Sequence, residues 1–472
     1  MEENLEIVRL KKQISLFDCV TILVGTMIGS GIFVSPVGIL FYVRSLGMSY
    51  VLWALCGVYS ALCAACFAEL GAALPTSGGE YMYIYRAFGD FAAFLCLWTH
   101  IFNYCSGYAA LCLIFSTYIL QPVYNNCEEI PQVLLRLISA LVYTFIVAIN
   151  CINVKWVTKL QAIITGSKLM ALFAVIVIGC VWLYKGEMGA FDNAFEGSDF
   201  NVGSIVFAFY SGNWAYSGWS NICMFAGEVI KPQRNIPLGI IISLCIVTVV
   251  YIVANIAYFT VLTPSEMLKS TAVAVTFAEQ TIKPAAFVMP LLISVSVLGT
   301  LNGSSLAFSR LLYVGSKMNH TPRFLSMLHV KRNTPTPSLV VICIIVLLMQ
   351  NFKGIFYLIE MSGLSTSVVT SLTVAAMLCL RYKEPSLERP FKLHLSIPIS
   401  IFVISLVIVL VSFYQKPKES GLAILIISIG IPLYFIGPRW KNRPPAIQRK
   451  FDYMTRLLQK IMFIVPEEDH ED

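Results

Sequence analysis

About twelve stretches of this chain each run to some twenty predominantly apolar residues, the length at which an α-helix crosses the hydrocarbon core of a bilayer. They fall near 14–43, 49–73, 89–120, 132–152, 158–184, 203–229, 237–262, 284–316, 337–351, 356–381, 394–414 and 420–437, the ninth being short. Lipid offers a backbone no hydrogen-bond partners, so segments of this length must close their own bonds as helices. The pattern predicts an all-α membrane protein with about twelve transmembrane helices. Composition agrees: 57% of residues are hydrophobic and 12% charged, and mean hydropathy is +0.76. One soluble core cannot hide that much apolar surface. The N-terminus is charged and polar through Lys12, and the apolar segment after it is too long for a signal-peptide core, so no cleavable leader is expected.

Turn signals mark the linkers, as in Pro75-Thr-Ser-Gly-Gly79, Lys231-Pro-Gln-Arg-Asn-Ile-Pro237 and Thr334-Pro-Thr-Pro337. Base is concentrated in alternate loops: Arg9, Lys11 and Lys12; Lys155 and Lys159; Lys231 and Arg234; Lys317, Arg323, Lys331 and Arg332; Arg381, Lys383, Arg389 and Lys392; then the tail. The other loops hold Glu128, Glu129, Glu187, Asp192, Glu196 and Asp199. The positive-inside bias puts both termini in the cytoplasm, and the net charge of +7 reads as orientation rather than nucleic-acid binding. Three regions follow: a cytoplasmic N-terminus (1–13), a transmembrane domain (14–437) and a cytoplasmic tail (438–472). In the tail, Ile447, Phe451, Met454, Leu458, Ile461 and Met462 recur at helical spacing among Arg449, Lys450, Arg456 and Lys460. That is an amphipathic helix, lying on the membrane lipids or packed on the protein. The sequons at Asn302 and Asn319 fall at membrane depth and in a cytoplasmic loop, so neither is expected to carry a glycan.

Two spans are interrupted. The first contains Gly25-Thr-Met-Ile-Gly29-Ser30-Gly31-Ile-Phe-Val-Ser-Pro36. Gly25 and Gly29 alone have small-residue packing spacing, but glycines on both sides of Ser30 also break the helical ladder. A restarting half-helix presents free N–H groups and a positive dipole end, which suit a carboxylate, and transporters build substrate sites this way at the midplane. The sixth span, five later, contains Phe209-Tyr-Ser-Gly-Asn-Trp214-Ala215-Tyr216-Ser217-Gly218-Trp219. An inverted repeat of five spans requires that spacing, with repeats near 14–184 and 203–381 and two helices beyond. Trp214 or Tyr216 is placed to cap a substrate, or simply to pack. Lys168, in Thr165-Gly-Ser-Lys168, lies inside the fifth span, where a charge is expensive and functional by default. It either stands where a coupling cation would, holding carbonyls of a broken helix, or snorkels to the cytoplasmic end.

No zinc, haem, phosphate-loop or nucleophile–base pattern occurs, and the 5 histidines do not cluster. No cofactor or metal is expected, and an enzyme is disfavoured. Most of the 14 cysteines lie in apolar runs and read as small buried hydrophobes. Cys127 differs, in the polar loop Gln121-Pro-Val-Tyr-Asn-Asn-Cys127-Glu-Glu129, which the orientation puts outside. An unpaired thiol in an oxidising compartment points to an intermolecular bond.

These motifs, with Phe67-Ala-Glu-Leu-Gly71, Ser77-Gly-Gly-Glu-Tyr81, Ala272-Val-Ala-Val-Thr-Phe277 and Val465-Pro-Glu-Glu-Asp469, resemble the amino acid–polyamine–organocation superfamily. More narrowly, nearly the whole chain resembles a light subunit of the heteromeric amino acid transporters, the L-type family. The resemblance implies a twelve-helix, five-plus-five inverted repeat with helices 1 and 6 broken, and sodium-independent amino acid exchange at the plasma membrane. It implies that Met27, Ser30 and Gly31 bind substrate carboxylate and amine, that Trp214 is the aromatic gate, and that Ala215 and Tyr216 supply adjoining backbone. Lys168 matches the lysine that resembles a fixed cation, and Cys127 the cysteine bonded to a single-span glycoprotein heavy chain.

Departures bear on substrate. The dibasic- and cystine-carrying member has an aspartate at the position of Ser217, and the cystine/glutamate exchanger has arginines at those of Cys105 and Thr366. The usual Thr-Glu-Glu ending of the sixth span reads Ala226-Gly227-Glu228, which resembles the branch with small-neutral and aspartate/glutamate carriers. A neutral substrate, small or aromatic, is therefore expected. An acidic amino acid or cystine carrier and a non-transporting amino acid sensor are the alternatives.

Overall fold

Ser15 ends the polar N-terminal stretch and starts the first helix. Its hydroxyl caps the Asp18 N–H, while the Asp18 carboxylate accepts from the Ser15 N–H at 2.9 Å, a capping box. The computed structural model describes residues 14–124, 130–152, 154–185, 193–270, 273–283, 286–332, 334–351, 355–440 and 444–466.

From Ser15 the first span runs as Leu16–Met27, breaks, and resumes as Gly31–Val43, the halves bent by 45°. Spans two to five are Leu46–Ala73, Asp90–Leu120, Gln132–Ile152 and Val154–Tyr184. The sixth runs as Val202–Tyr216 and restarts in the short turns Asn221–Met224 and Ala226–Glu228. The remaining spans are Pro232–Val261, Val288–Lys317, Thr336–Met349, Ile355–Lys383, Ser396–Gln415 and Pro417–Ile436. Among the described residues eight helices are long and apolar enough to cross a membrane, nine with the bent pair. The ninth and twelfth spans are shorter, and the sixth is divided by its break.

Boundaries follow local chemistry. The expected start of the seventh span at Pro237 moves back to Pro232, because proline is tolerated in the first turn, where its missing N–H costs no bond. The short helices Glu80–Phe88, Pro264–Lys269 and Val273–Thr281 were not anticipated, being too short to show in a hydropathy window. The tail helix forms over Pro445–Met462. Its end is fixed by an element the sequence does not reveal, an antiparallel pairing of Ile464–Pro466 with Met327–His329.

Lipid-type surface and interior segregate by helix face. On the fourth span Leu137, Leu141 and Phe145 are exposed, while Ser139, Tyr143 and Asn150 are buried. Asn150 donates to the Asn302 side chain at 2.9 Å. Asn302, one of the two sequons, is thereby buried.

The described base-rich loops gather on one side. Ile14 bridges Val229, Arg86 pairs with Glu384 at 2.7 Å, Tyr81 meets His320 at 2.8 Å, and Arg381 pairs with the buried Glu69 at 2.6 Å. The opposite side joins Gly47 to Ala194 and Val43 to Asp199. Cys127 lies outside the described residues.

Candidate functional site

The two breaks face one cavity. In the first, the helix stops at Ile28, whose N–H still reaches the Val24 carbonyl. The next helix begins at Ser30 with no side-chain cap, leaving its first amides free of a side-chain acceptor. The Ser30 hydroxyl is buried without a partner among the described residues. In the second, the Ser217 hydroxyl turns back to the Trp214 carbonyl at 2.7 Å. The chain then reverses through Gly218 at φ +108°, a conformation that residues with a Cβ rarely adopt. The cavity, open solvent at its mouth included, spans about 1200 Å³ of non-atom space, its walls including Met27, Gly29, Ser30, Gly31, Trp214 and Ser217.

Contact between the broken helices is tight. A Cβ on Gly31 would lie 2.4 Å from the Ala215 Cα, so only glycine fits. The Tyr251 hydroxyl on the seventh span lies 2.7 Å from the Met27 carbonyl and 2.9 Å from the Ala215 carbonyl, and shares its one proton between them. Tyr251 escaped the sequence reading because it looks like any aromatic in an apolar helix.

Ala215 and Tyr216 are not in the cavity wall. Ala215 packs on Gly31. The fully buried Tyr216 ring packs between Trp53 and Tyr251, with centroids 5.9 and 5.2 Å away. Tyr216 therefore packs, and Trp214 is the aromatic of the pair that reaches the cavity.

Lys168 is fully buried and does not reach the surface. Its ammonium donates to the Gly25 carbonyl at 2.6 Å and the Thr300 hydroxyl at 3.2 Å. It thus joins the fifth, first and eighth spans behind the break.

Beyond Trp214 the cavity reaches an uncharged polar group. The Asn103 amide donates to the Thr366 hydroxyl at 3.0 Å and accepts from the Ser362 hydroxyl at 2.5 Å. The Trp214 ring lies over Gly107. Cys105 is buried outside the lining. Asn103 and Ser362 were not singled out from sequence, since lone polar residues in long apolar helices carry no motif. Among the described lining residues there is no lysine, arginine or aspartate, and Glu80 is the one acid. No cluster of three His, Cys, Asp or Glu suited to a metal occurs among the described residues.

Residues 14–434 match a family model described as amino acid permease. The chain is 38% identical over 470 residues to the large neutral amino acids transporter small subunit 2 of Oryctolagus cuniculus, covering 98% of this chain and 87% of that protein. It is 38% identical over 465 residues to the cystine/glutamate transporter of Homo sapiens, covering 98% and 93%. It is also 38% identical over 464 residues to the Asc-type amino acid transporter 1 of Mus musculus, covering 98% and 87%.

Proposed function

Because the chain belongs to the amino acid permease family, and within it to the light subunits of heteromeric amino acid transporters, we propose that it exchanges neutral L-amino acids without sodium. It is a multi-pass membrane transporter rather than an enzyme. The observation that carries the substrate reading is the uncharged side-chain end of the cavity, formed by Asn103, Ser362 and Thr366. A carboxylate or guanidinium on the substrate would lose water there without a compensating charge, a cost of about several kcal/mol. Asparagine and hydroxyls can instead satisfy a small polar side chain or a backbone-like amide.

In this reading the substrate carboxylate takes the free amides of the Gly29–Gly31 break, with Met27 and Ser30 beside it. Its ammonium faces the second break at Ser217–Gly218, with the Ala215 and Tyr216 backbone standing behind the wall and the Ala215 carbonyl held by Tyr251, and Trp214 closes over the side chain. Lys168 supplies the fixed positive charge that a sodium ion would otherwise bring between the first and eighth spans. The two repeats rock about this site, exposing it to each side in turn. Like other light subunits, the chain works beside a heavy chain. We place that bond at Cys127, the pair at the plasma membrane, and both termini in the cytoplasm.

Counterflow in proteoliposomes tests the reading. Vesicles loaded with one labelled neutral amino acid are challenged outside with a panel of unlabelled ones. Exchange for neutral amino acids, equal in sodium and choline, is the expected result. Strong exchange with glutamate or cystine would move the chain to the acidic or cystine carriers. Saturable binding without exchange would make it a sensor.

A further inference from the structure

The same cavity has a second polar end that the site above does not use. Beside the base-rich face, Glu80 opens the short helix Glu80–Phe88 and is buried among the spans, 4% exposed. Ser220, just past the sixth-span break, lies beside it in the cavity wall. The carboxyl oxygen Oε2 has no partner among the described residues. Tyr104 on the third span lines the cavity beside Ser220. One turn away on that span, His100 stacks on Tyr104 at 5.4 Å and is 3% exposed. Neither of its ring nitrogens has a partner among the described residues. Glu80, His100, Tyr104 and Ser220 all line the cavity that also touches Gly29, Ser30 and Gly31. The other titratable groups near Glu80 are Tyr83 on its own helix, Cys96 on the third span and Cys223 on the sixth. None is a cation.

A buried acid, with an oxygen and two ring nitrogens left over and no cation in reach among the described residues, is incomplete as packing, since unmet buried polar groups are costly. What completes its acceptors, the Glu80 oxygen and the one bare imidazole nitrogen, must donate hydrogen bonds, carry positive charge and arrive through the cavity. A primary ammonium does all three: it has three donors and no acceptor, and a carboxylate partner makes its bonds charge-assisted. We propose that Glu80, with His100, Tyr104 and Ser220, forms an inner subsite that binds the ammonium of an amino acid between the broken-helix site and the base-rich face. The inference rests on the reading of the broken helices as the substrate site. A substrate released from the Gly29–Gly31 amides then meets a second anchor before it leaves, and one arriving from that side is captured there first.

The test is made on the full chain in proteoliposomes sorted for orientation, with KM for a neutral amino acid measured from each side. Glu80→Gln keeps the shape and removes the charge. It should raise the KM measured from the base-rich side at least tenfold more than the KM from the other side, since a hydrogen bond to a charged group is worth about 1.5–3 kcal/mol. Methylammonium, which has the ammonium and no carboxylate, should inhibit the wild type from that side and not the variant. Equal KM changes on both sides, or no inhibition by methylammonium, would overturn the subsite while leaving exchange intact. So would a pH dependence abolished by Glu80→Gln with methylammonium inert, which would give the carboxyl to a proton. Absence of wild-type counterflow would instead defeat the parent reading. If Glu80→Gln does not fold, Ser220→Ala removes only the hydroxyl, and the same one-sided rise, about threefold, is expected; its absence refutes the proposal.

Discussion

The Lys168 ammonium lies 2.6 Å from the Gly25 carbonyl, four residues before the middle of the first-span break, and donates to it from a fully buried position. A charge in that place has few partners other than the helix end it holds and the Thr300 hydroxyl at 3.2 Å. Lys168→Ala should therefore cut exchange at least tenfold, as expected for losing one charge-assisted hydrogen bond. Wild-type flux should be equal in sodium and choline. A steep sodium dependence of the wild type would refute the role given to the lysine.

Tyr251 ties the two broken helices through the Met27 and Ala215 carbonyls. Tyr251→Phe deletes that donor and leaves both carbonyls poorer in partners, at about 1–3 kcal/mol. A lower melting temperature in detergent and slower exchange are expected. An unchanged melting temperature would mean the hydroxyl contributes nothing to the junction.

Gly31→Val meets the Ala215 backbone, since even a Cβ falls 2.4 Å from its Cα. The helices must part, and the amides of the break move with them. Transport should vanish while the protein still reaches the membrane. Normal uptake by a well-expressed variant would remove Gly31 from the site.

Arginine and lysine should compete poorly against neutral amino acids, because Asn103, Ser362 and Thr366 bring no countercharge to the side-chain end. Asn103→Leu takes away the amide that both hydroxyls bond, so polar substrates should lose more affinity than apolar ones, by about tenfold for one lost pair of bonds. Potent inhibition of the wild type by arginine in a competition assay would show the pocket has been misassigned.

Cys127 is expected to bond a heavy chain, giving a large band on non-reducing gels that collapses on reduction and is absent in Cys127→Ser. The thirteen other cysteines sit in or at the ends of spans, so none competes for the bond. A monomer whose Cys127 is labelled by an impermeant maleimide would overturn the covalent partnership alone.

Much of this architecture is written in local pattern. Apolar runs longer than a bilayer, the glycines around Ser30 and Ser217, and the bias of Lys and Arg are each properties of a few neighbouring residues, because hydropathy, helix breaking and membrane orientation act over one span. From them alone follow the approximate spans and both breaks, whereas sequence leaves Lys168 between a buried cation position and snorkelling, and packing places its ammonium on the Gly25 carbonyl. What faces what is a different matter. Tyr216 turning away from the cavity while Trp214 enters it, Tyr251 bridging two breaks, Asn103 meeting Ser362 and Thr366, and Glu80 arriving beside Ser220 all pair residues far apart in the chain. In an apolar helix every face reads alike in sequence, and only packing against the neighbouring helices decides which one meets lipid, protein or the cavity.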